Sequence, residues 1–293
     1  MTITASQVKD LRERTGLGMM ECKAALTETG GDIEGAIDLL RKKVGAKVEK
    51  KAHRTAAEGA VAIHVDASGH VAALVEVNSE TDFVAKDEHF MQYALAVART
   101  VVAHDPRDVA ALSALAIDGG NVSVGQGRND LVSKFGENIN IRRFSRYVTT
   151  GRIGRYLHGR RIGVLVELTN ADETLARDLA MHIAASRPAY IARQDVPADV
   201  LAKEREIFLA QGAESGKPRD ILERMVTGKV AKFVNEITLL GQVFVKDPDT
   251  TIEKLLERTG AKVVRFVRYE VGEGIERSAT DFASEVMAQV KGV

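Results

Sequence analysis

Twice along this chain a pair of short apolar runs flanks a turn and leads into a segment with helical spacing. Val61-Ala62-Ile63-His64-Val65 and the run from Val71 to Val77 enclose Asp66-Ala67-Ser68-Gly69. Later, Ile153 to His158 and Ile162 to Leu168 straddle Gly159-Arg160. A period of two, many β-branched residues and a turn between the runs predict two strand–turn–strand units. Apolar residues at helical spacing follow each: Phe90, Ala94, Val97 and Val101 in one, and Leu175, Leu179, His182 and Ile183 in the other. Ala73-Leu74-Val75-Glu76-Val77-Asn78 and Val164-Leu165-Val166-Glu167-Leu168-Thr169-Asn170 read as matching strands of one repeated α+β unit. The expected fold class is therefore multidomain α+β, with a core of two similar antiparallel-sheet halves.

The copies differ at one place. Thr81-Asp82-Phe83 stands between strand and helix in the first and has no counterpart in the second. If the copies share a fold, the insert is not needed for folding. A large aromatic is expected here in a turn, where chains usually place small polar residues. Position alone leaves two readings: Phe83 folds back as a lid on the core, or it is an exposed anchor for a partner with Asp82 beside it.

The remaining segments attach to this core. Residues 1–54 read as a three-helix module and a basic linker. Thr4 with Gln7 forms a capping-box pattern, Gly16 and Gly18 interrupt, and Gly30-Gly31 with Asp32 separates the second and third helices. The run through Arg41, Lys42, Lys43, Lys47, Lys50, Lys51 and Arg54 reads as a solvated linker helix, with nucleic acid as the competing reading. The first half of the core spans 55–149, and the second spans 150–187 and 236–271. Between the parts of the second half, 188–235 reads as an inserted, highly charged helical hairpin, with Pro197 opening one helix and Pro218 preceding the other. Residues 272–293 form a C-terminal helical module, with Phe282, Val286 and Val290 at helical spacing.

Composition narrows the function. Basic and acidic residues balance at 41 each, so no net field draws the chain to nucleic acid or an anionic membrane. No apolar run approaches the roughly 20 residues of a membrane span, and the first residues lack the pattern of a secretory signal. The single cysteine, Cys22, allows no internal disulfide and no zinc site of paired cysteines. A cytoplasmic chain is expected. Its seven histidines form no metal-binding pair beside a glutamate, and no nucleophile elbow or P-loop is present. His182, on an apolar helix face, reads as a hydrogen-bonded core residue. Neither a catalytic function nor a cofactor or metal is expected.

Several blocks resemble one family. Asn78-Ser79-Glu80-Thr81-Asp82-Phe83-Val84-Ala85-Lys86-Asp87 resembles the signature loop of bacterial elongation factor Ts. Leu11-Arg12-Glu13-Arg14-Thr15-Gly16, then Gly18-Met19-Met20-Glu21-Cys22-Lys23-Ala24-Ala25-Leu26, resembles its amino-terminal signature. Gly136 to Arg143, His158 to Val166 and Phe266 to Glu276 resemble later blocks, in the family's order. Ser79 departs from the pattern, because many relatives carry a cysteine there.

The resemblance implies a guanine nucleotide exchange factor that binds the GTPase elongation factor Tu in its GDP form and releases the nucleotide. It also implies a ubiquitin-associated-like N-terminal module. On that reading Thr81, Asp82, Phe83 and Val84 form a loop that dislocates the GTPase's Mg²⁺. Arg12, Met19 and Met20 give a second contact, although the two methionines read equally well as local core. His158 matches a further contact position, and the hairpin is associated with homodimers. The competing reading is a ribosome- or RNA-associated module that uses the basic run with Arg142, Arg143, Arg146, Arg152 and Arg155. A third is a purely structural dimer.

Overall fold

The computed structural model describes residues 3–213 and 218–276. Helices α1 (Ala5–Thr15), α2 (Met19–Glu28) and α3 (Ile33–Lys51) come first. The expected capping box opens α1: the Thr4 hydroxyl accepts from the Gln7 N–H, and the Gln7 side chain accepts from the Thr4 N–H. Gly16 closes the helix at φ 70°, a left-handed geometry that a Cβ would strain. Leu11, Cys22, Leu26, Ala36 and Leu40 meet in a small core, and Cys22 is fully buried there as a packed thiol. Helix α3 runs unbroken through the basic stretch to Lys51.

Next come β1 (Glu58–Val65), β2 (Val71–Ser79), the single turn α4 (Asp82–Lys86), α5 (Glu88–His104), α6 (Val109–Ala114), α7 (Val124–Phe135) and β3 (Asn140–Val148). The strands form one sheet with β2 in the middle. The predicted stripe of α5 (Phe90, Ala94, Val97 and Val101) is wholly buried. Helix α7 has no clear periodic signal, because Gly125 and Gly127 occupy its first turn. They serve close packing: a Cβ on Gly125 would lie 3.1 Å from the Ser113 carbonyl oxygen, and one on Gly127 would lie 3.1 Å from the Tyr93 ring. Helix α3 packs against α7.

The second repeat supplies β4 (Arg152–His158), β5 (Ile162–Thr169) and α8 (Glu173–Ser186). β4 and β5 pair antiparallel with Arg152 opposite Leu168 and His158 opposite Ile162. The inserted hairpin is α9 (Ala198–Ala213) and α10 (Arg219–Ile237), packed on each other; its connecting residues 214–217 lie outside the described residues. The chain then forms the short pair β6 (Val243–Phe244) and β7 (Asp247–Thr251), helix α11 (Ile252–Thr259) and strand β8 (Lys262–Glu270). β8 completes a second sheet of order β4-β5-β8. Val164, Val166 and Leu168 of β5 pack with Leu179, Ile183, Leu239 and Ile252 in its core. The expected terminal helix with Phe282 falls outside the described residues.

The repeat extends to a polar detail. Each sheet has a glutamate on its middle strand, Glu76 in β2 and Glu167 in β5. Glu76 is fully buried; it accepts from Arg142 at 3.1 Å, from Arg143 at 2.6 Å and from the Gly272 N–H at 2.9 Å. Glu167 accepts from Arg265 at 2.6 Å. Buried carboxylates persist where such charged hydrogen bonds replace water.

By contacts the chain divides into two compact units. Among the described residues, one comprises 3–64, 75–144 and 270–276; the other comprises 65–74, 145–213 and 218–269.

Candidate functional site

The insert of the first repeat is a single helical turn rather than an open loop. Thr81 caps α4, its hydroxyl accepting from the Val84 N–H at 3.5 Å. Asp82 and Lys86, four residues apart, form an ion pair along the turn. One turn is too short to show a periodic pattern in sequence, so the segment read as a turn. Val84 and Ala85 are buried, and they seat the helix on the first unit.

Phe83 faces the other way, with 80% of its surface exposed. The lid reading is therefore excluded. The Lys86 ammonium stands 5.7 Å from the ring centroid and is the ring's cation–π neighbour. A phenylalanine left this bare gains little for the fold from burial, so its side chain is free to bury against something else.

The turn is held from both sides. Both oxygens of Glu137 grip Thr81: Oε2 accepts from the backbone N–H at 3.0 Å and Oε1 from the hydroxyl at 2.6 Å. Ser79, at the departure from the expected pattern, is buried and donates its hydroxyl to the Thr81 carbonyl at 2.9 Å. Asp87 ends α4 and caps α5 by accepting from the His89 N–H at 2.8 Å. Its carboxyl lies below the usual value: burial pushes it up, but the His89 backbone and ring and the Lys134 charge outweigh that.

A second exposed apolar patch lies on the three-helix module. Met19 and Met20, at the start of α2, are 57% and 74% exposed. Arg12, also exposed, joins them with Ile3, Val8 and Lys23 around an open groove of about 620 Å³. The methionines are thus outside the local core. The C-terminal end of α7 links the two patches within this unit. Ser133 and Lys134 line a concavity with Arg12 and Met19, while Lys134 acts on Asp87 and Glu137 holds Thr81.

Residues 80–273 match the family described as Elongation factor TS. The chain is 58% identical to Elongation factor Ts of Thioalkalivibrio sulfidiphilus, covering all of both chains. It is 57% identical to Elongation factor Ts of Methylococcus capsulatus and 54% identical to that of Alkalilimnicola ehrlichii, covering 99% and 100% of both chains.

The chain belongs to the elongation factor Ts family.

As a member of that translation elongation family, the chain carries its further candidate, His158, at the end of β4 beside the β4–β5 turn. The imidazole is exposed, with its Nδ1 3.3 Å from the Tyr156 hydroxyl. It belongs to the second unit, whereas Thr81–Val84, Arg12, Met19 and Met20 belong to the first. His182 is a core residue, fully buried. Its Nδ1 accepts from the Val245 N–H at 3.3 Å, so Nε2 carries the proton toward Gln242 Oε1, 3.0 Å away.

Several cations of the nucleic-acid reading have internal partners. Arg142 and Arg143 bind Glu76, Lys43 pairs with Glu28, Arg54 pairs with Glu80, and Arg152 donates to the Ala171 carbonyl. Among the described residues, no group of three or more His, Cys, Asp or Glu is placed to hold a metal, and no helix is long and apolar enough to cross a membrane.

Glu137 is not legible in the sequence. It lies in a block that carried the family resemblance, but no local pattern links it to Thr81, 56 residues earlier.

Proposed function

We propose that this member of the elongation factor Ts family is a guanine nucleotide exchange factor for elongation factor Tu. It would bind the GDP form of that GTPase, distort the site of Mg²⁺ and phosphate, and let GDP leave so that GTP can enter. The observation that carries this reading is the bare phenyl ring of Phe83, held out on a firmly seated turn.

Exchange needs no covalent chemistry. A GTPase holds GDP through phosphate-loop amides and Mg²⁺. A partner that binds better when those contacts are disturbed must weaken GDP by the same factor by which GDP weakens the partner. Phe83 is the wedge that buries against displaced GTPase elements. Asp82 brings negative charge toward the metal site, while Thr81 and Val84 shape and seat the turn. Arg12, Met19 and Met20 form a second contact; methionine suits a surface that adapts to its partner. His158 is a third, separate contact.

The RNA-binding alternative draws less support. The internal ion pairs of Arg142 and Arg143 occupy charges it would need. The deciding measurement is release of a fluorescent GDP analogue from elongation factor Tu at physiological Mg²⁺, with increasing amounts of this protein. Acceleration that rises and saturates is the expected result. No acceleration from a folded sample would refute the reading, and steeply salt-dependent RNA binding would favour the alternative.

A further inference from the structure

We propose that Glu137 is a positioning residue for exchange: by holding Thr81 it fixes the direction in which α4 presents the Phe83 ring. The proposal rests on the exchange reading above.

A five-residue helix has little stability of its own, because nucleation costs more than one turn of hydrogen bonds returns. Something outside α4 must hold it. Its own cap is long, 3.5 Å from the Val84 N–H to the Thr81 hydroxyl. The stronger hold comes from Glu137. That hydroxyl donates to Oε1 at 2.6 Å while accepting from Val84, and the Thr81 N–H donates to Oε2 at 3.0 Å. Two charge-assisted bonds from one carboxylate fix orientation as well as position. Buried Val84 and Ala85 pin the other side of the turn, and Phe83 lies between the two restraints.

The clamp is reciprocal. As Glu137 holds the N–H of Thr81, Glu80 holds the N–H of Asn138, which donates to its Oε1 at 2.6 Å. Buried Asn138 then donates its side-chain amide to the carbonyls of Ala52, at 3.3 Å, and Arg54, at 2.7 Å. The tether of the three-helix module and the base of α4 therefore share one joint. Glu137 itself is already engaged with Thr81, so its role is to position another group rather than to bind a partner.

The test uses the full chain and two readouts. Amide hydrogen exchange followed by mass spectrometry reports on residues 81–86 without any GTPase. GDP-analogue release from elongation factor Tu reports on function as a maximal rate and a half-saturating concentration. For Glu137→Ala, exchange at 81–86 is expected to rise at least about tenfold while β5 and α8 keep their protection. The maximal release rate is expected to fall at least about tenfold, with half-saturation moving less than about threefold. Glu137→Gln should be intermediate, since it keeps an acceptor for the hydroxyl but turns an amide donor toward the Thr81 N–H; it also serves if the alanine variant folds poorly. Thr81→Val should lose part of the hold, and it should cost less when added to Glu137→Ala than when made in the wild-type chain, because only its cap to Val84 is then left to lose.

Unchanged protection at 81–86 would overturn the proposal. So would a loosened turn with a wild-type maximal rate. If wild type itself fails to accelerate release, the exchange reading falls and takes this proposal with it. That outcome differs from failure of the clamp alone, in which wild type and Glu137→Ala accelerate equally.

Discussion

Replacing Phe83 with alanine separates the stability of this fold from its proposed activity. With 80% of its surface exposed, the side chain contributes little to the folded state beyond its contact with Lys86. An exposed cation–π contact is worth about 0.5–1 kcal/mol, and surface substitutions usually fall within about 0.5 kcal/mol. Stability should therefore change by less than about 1 kcal/mol, and the urea midpoint should barely move. In the proposed complex the same ring would have most of its burial still to gain. Full burial of phenylalanine is worth about 1.5–3 kcal/mol, which corresponds to roughly a tenfold to 150-fold loss of GDP-release rate on truncation. The assay is stopped-flow release of a fluorescent GDP analogue at saturating exchange factor. A folded Phe83→Ala protein that releases GDP at the wild-type rate would refute the wedge. So would a loss of activity matched by an equal loss of stability.

Met19→Ala with Met20→Ala should weaken binding to elongation factor Tu about tenfold and leave stability within about 0.5 kcal/mol, as calorimetry of the complex and urea unfolding would show. Glu76→Ala removes the buried acceptor of Arg142, Arg143 and Gly272. It should cost about 3 kcal/mol, the lower end for a broken buried pair because both arginines reach water, and urea unfolding measures it. The imidazole of His182 lies below its ordinary 6.5 because burial penalises its charge, partly offset by the bond to Gln242. The unfolded chain takes up that proton first, so the stability tied to neutral His182 is complete above 6.5 and is lost as pH falls through the lower folded value. Urea midpoints between about pH 7.5 and 5 should decline in wild type and decline less in His182→Gln.

Much of the fold was legible because it follows from periodicity. Alternation gave β1, β2, β4 and β5, helical stripes gave α5 and α8, and Thr4 with Gln7 gave the start of α1. The inserted hairpin was marked by Pro197 and Pro218. Helix α7 was missed because its two glycines answer to neighbours distant in sequence, the Ser113 carbonyl and the Tyr93 ring. The pair β6–β7 is too short to carry alternation. At the site, Phe83 was legible as an insert in one copy of a repeat. Its exposure was not, since one aromatic in a turn fits a lid as well as an anchor. Glu137 was invisible for a different reason: contact between residues 56 apart depends on how the first unit packs.

The absence of Thr81-Asp82-Phe83 from the second copy has a practical consequence. In that copy, the chain leaves β5 through Asn170 at φ 55° and reaches the Asp172 cap of α8 without an intervening turn of helix. The protein thus contains its own control for what the unit requires to fold. Selection for expression, solubility or heat resistance would register substitutions at Glu76 or in the core. It would pass changes at Phe83 unnoticed, so on the proposed exchange reading a library sorted on such traits would fill with well-behaved but inert proteins. Only selection that includes the GTPase would guard that position.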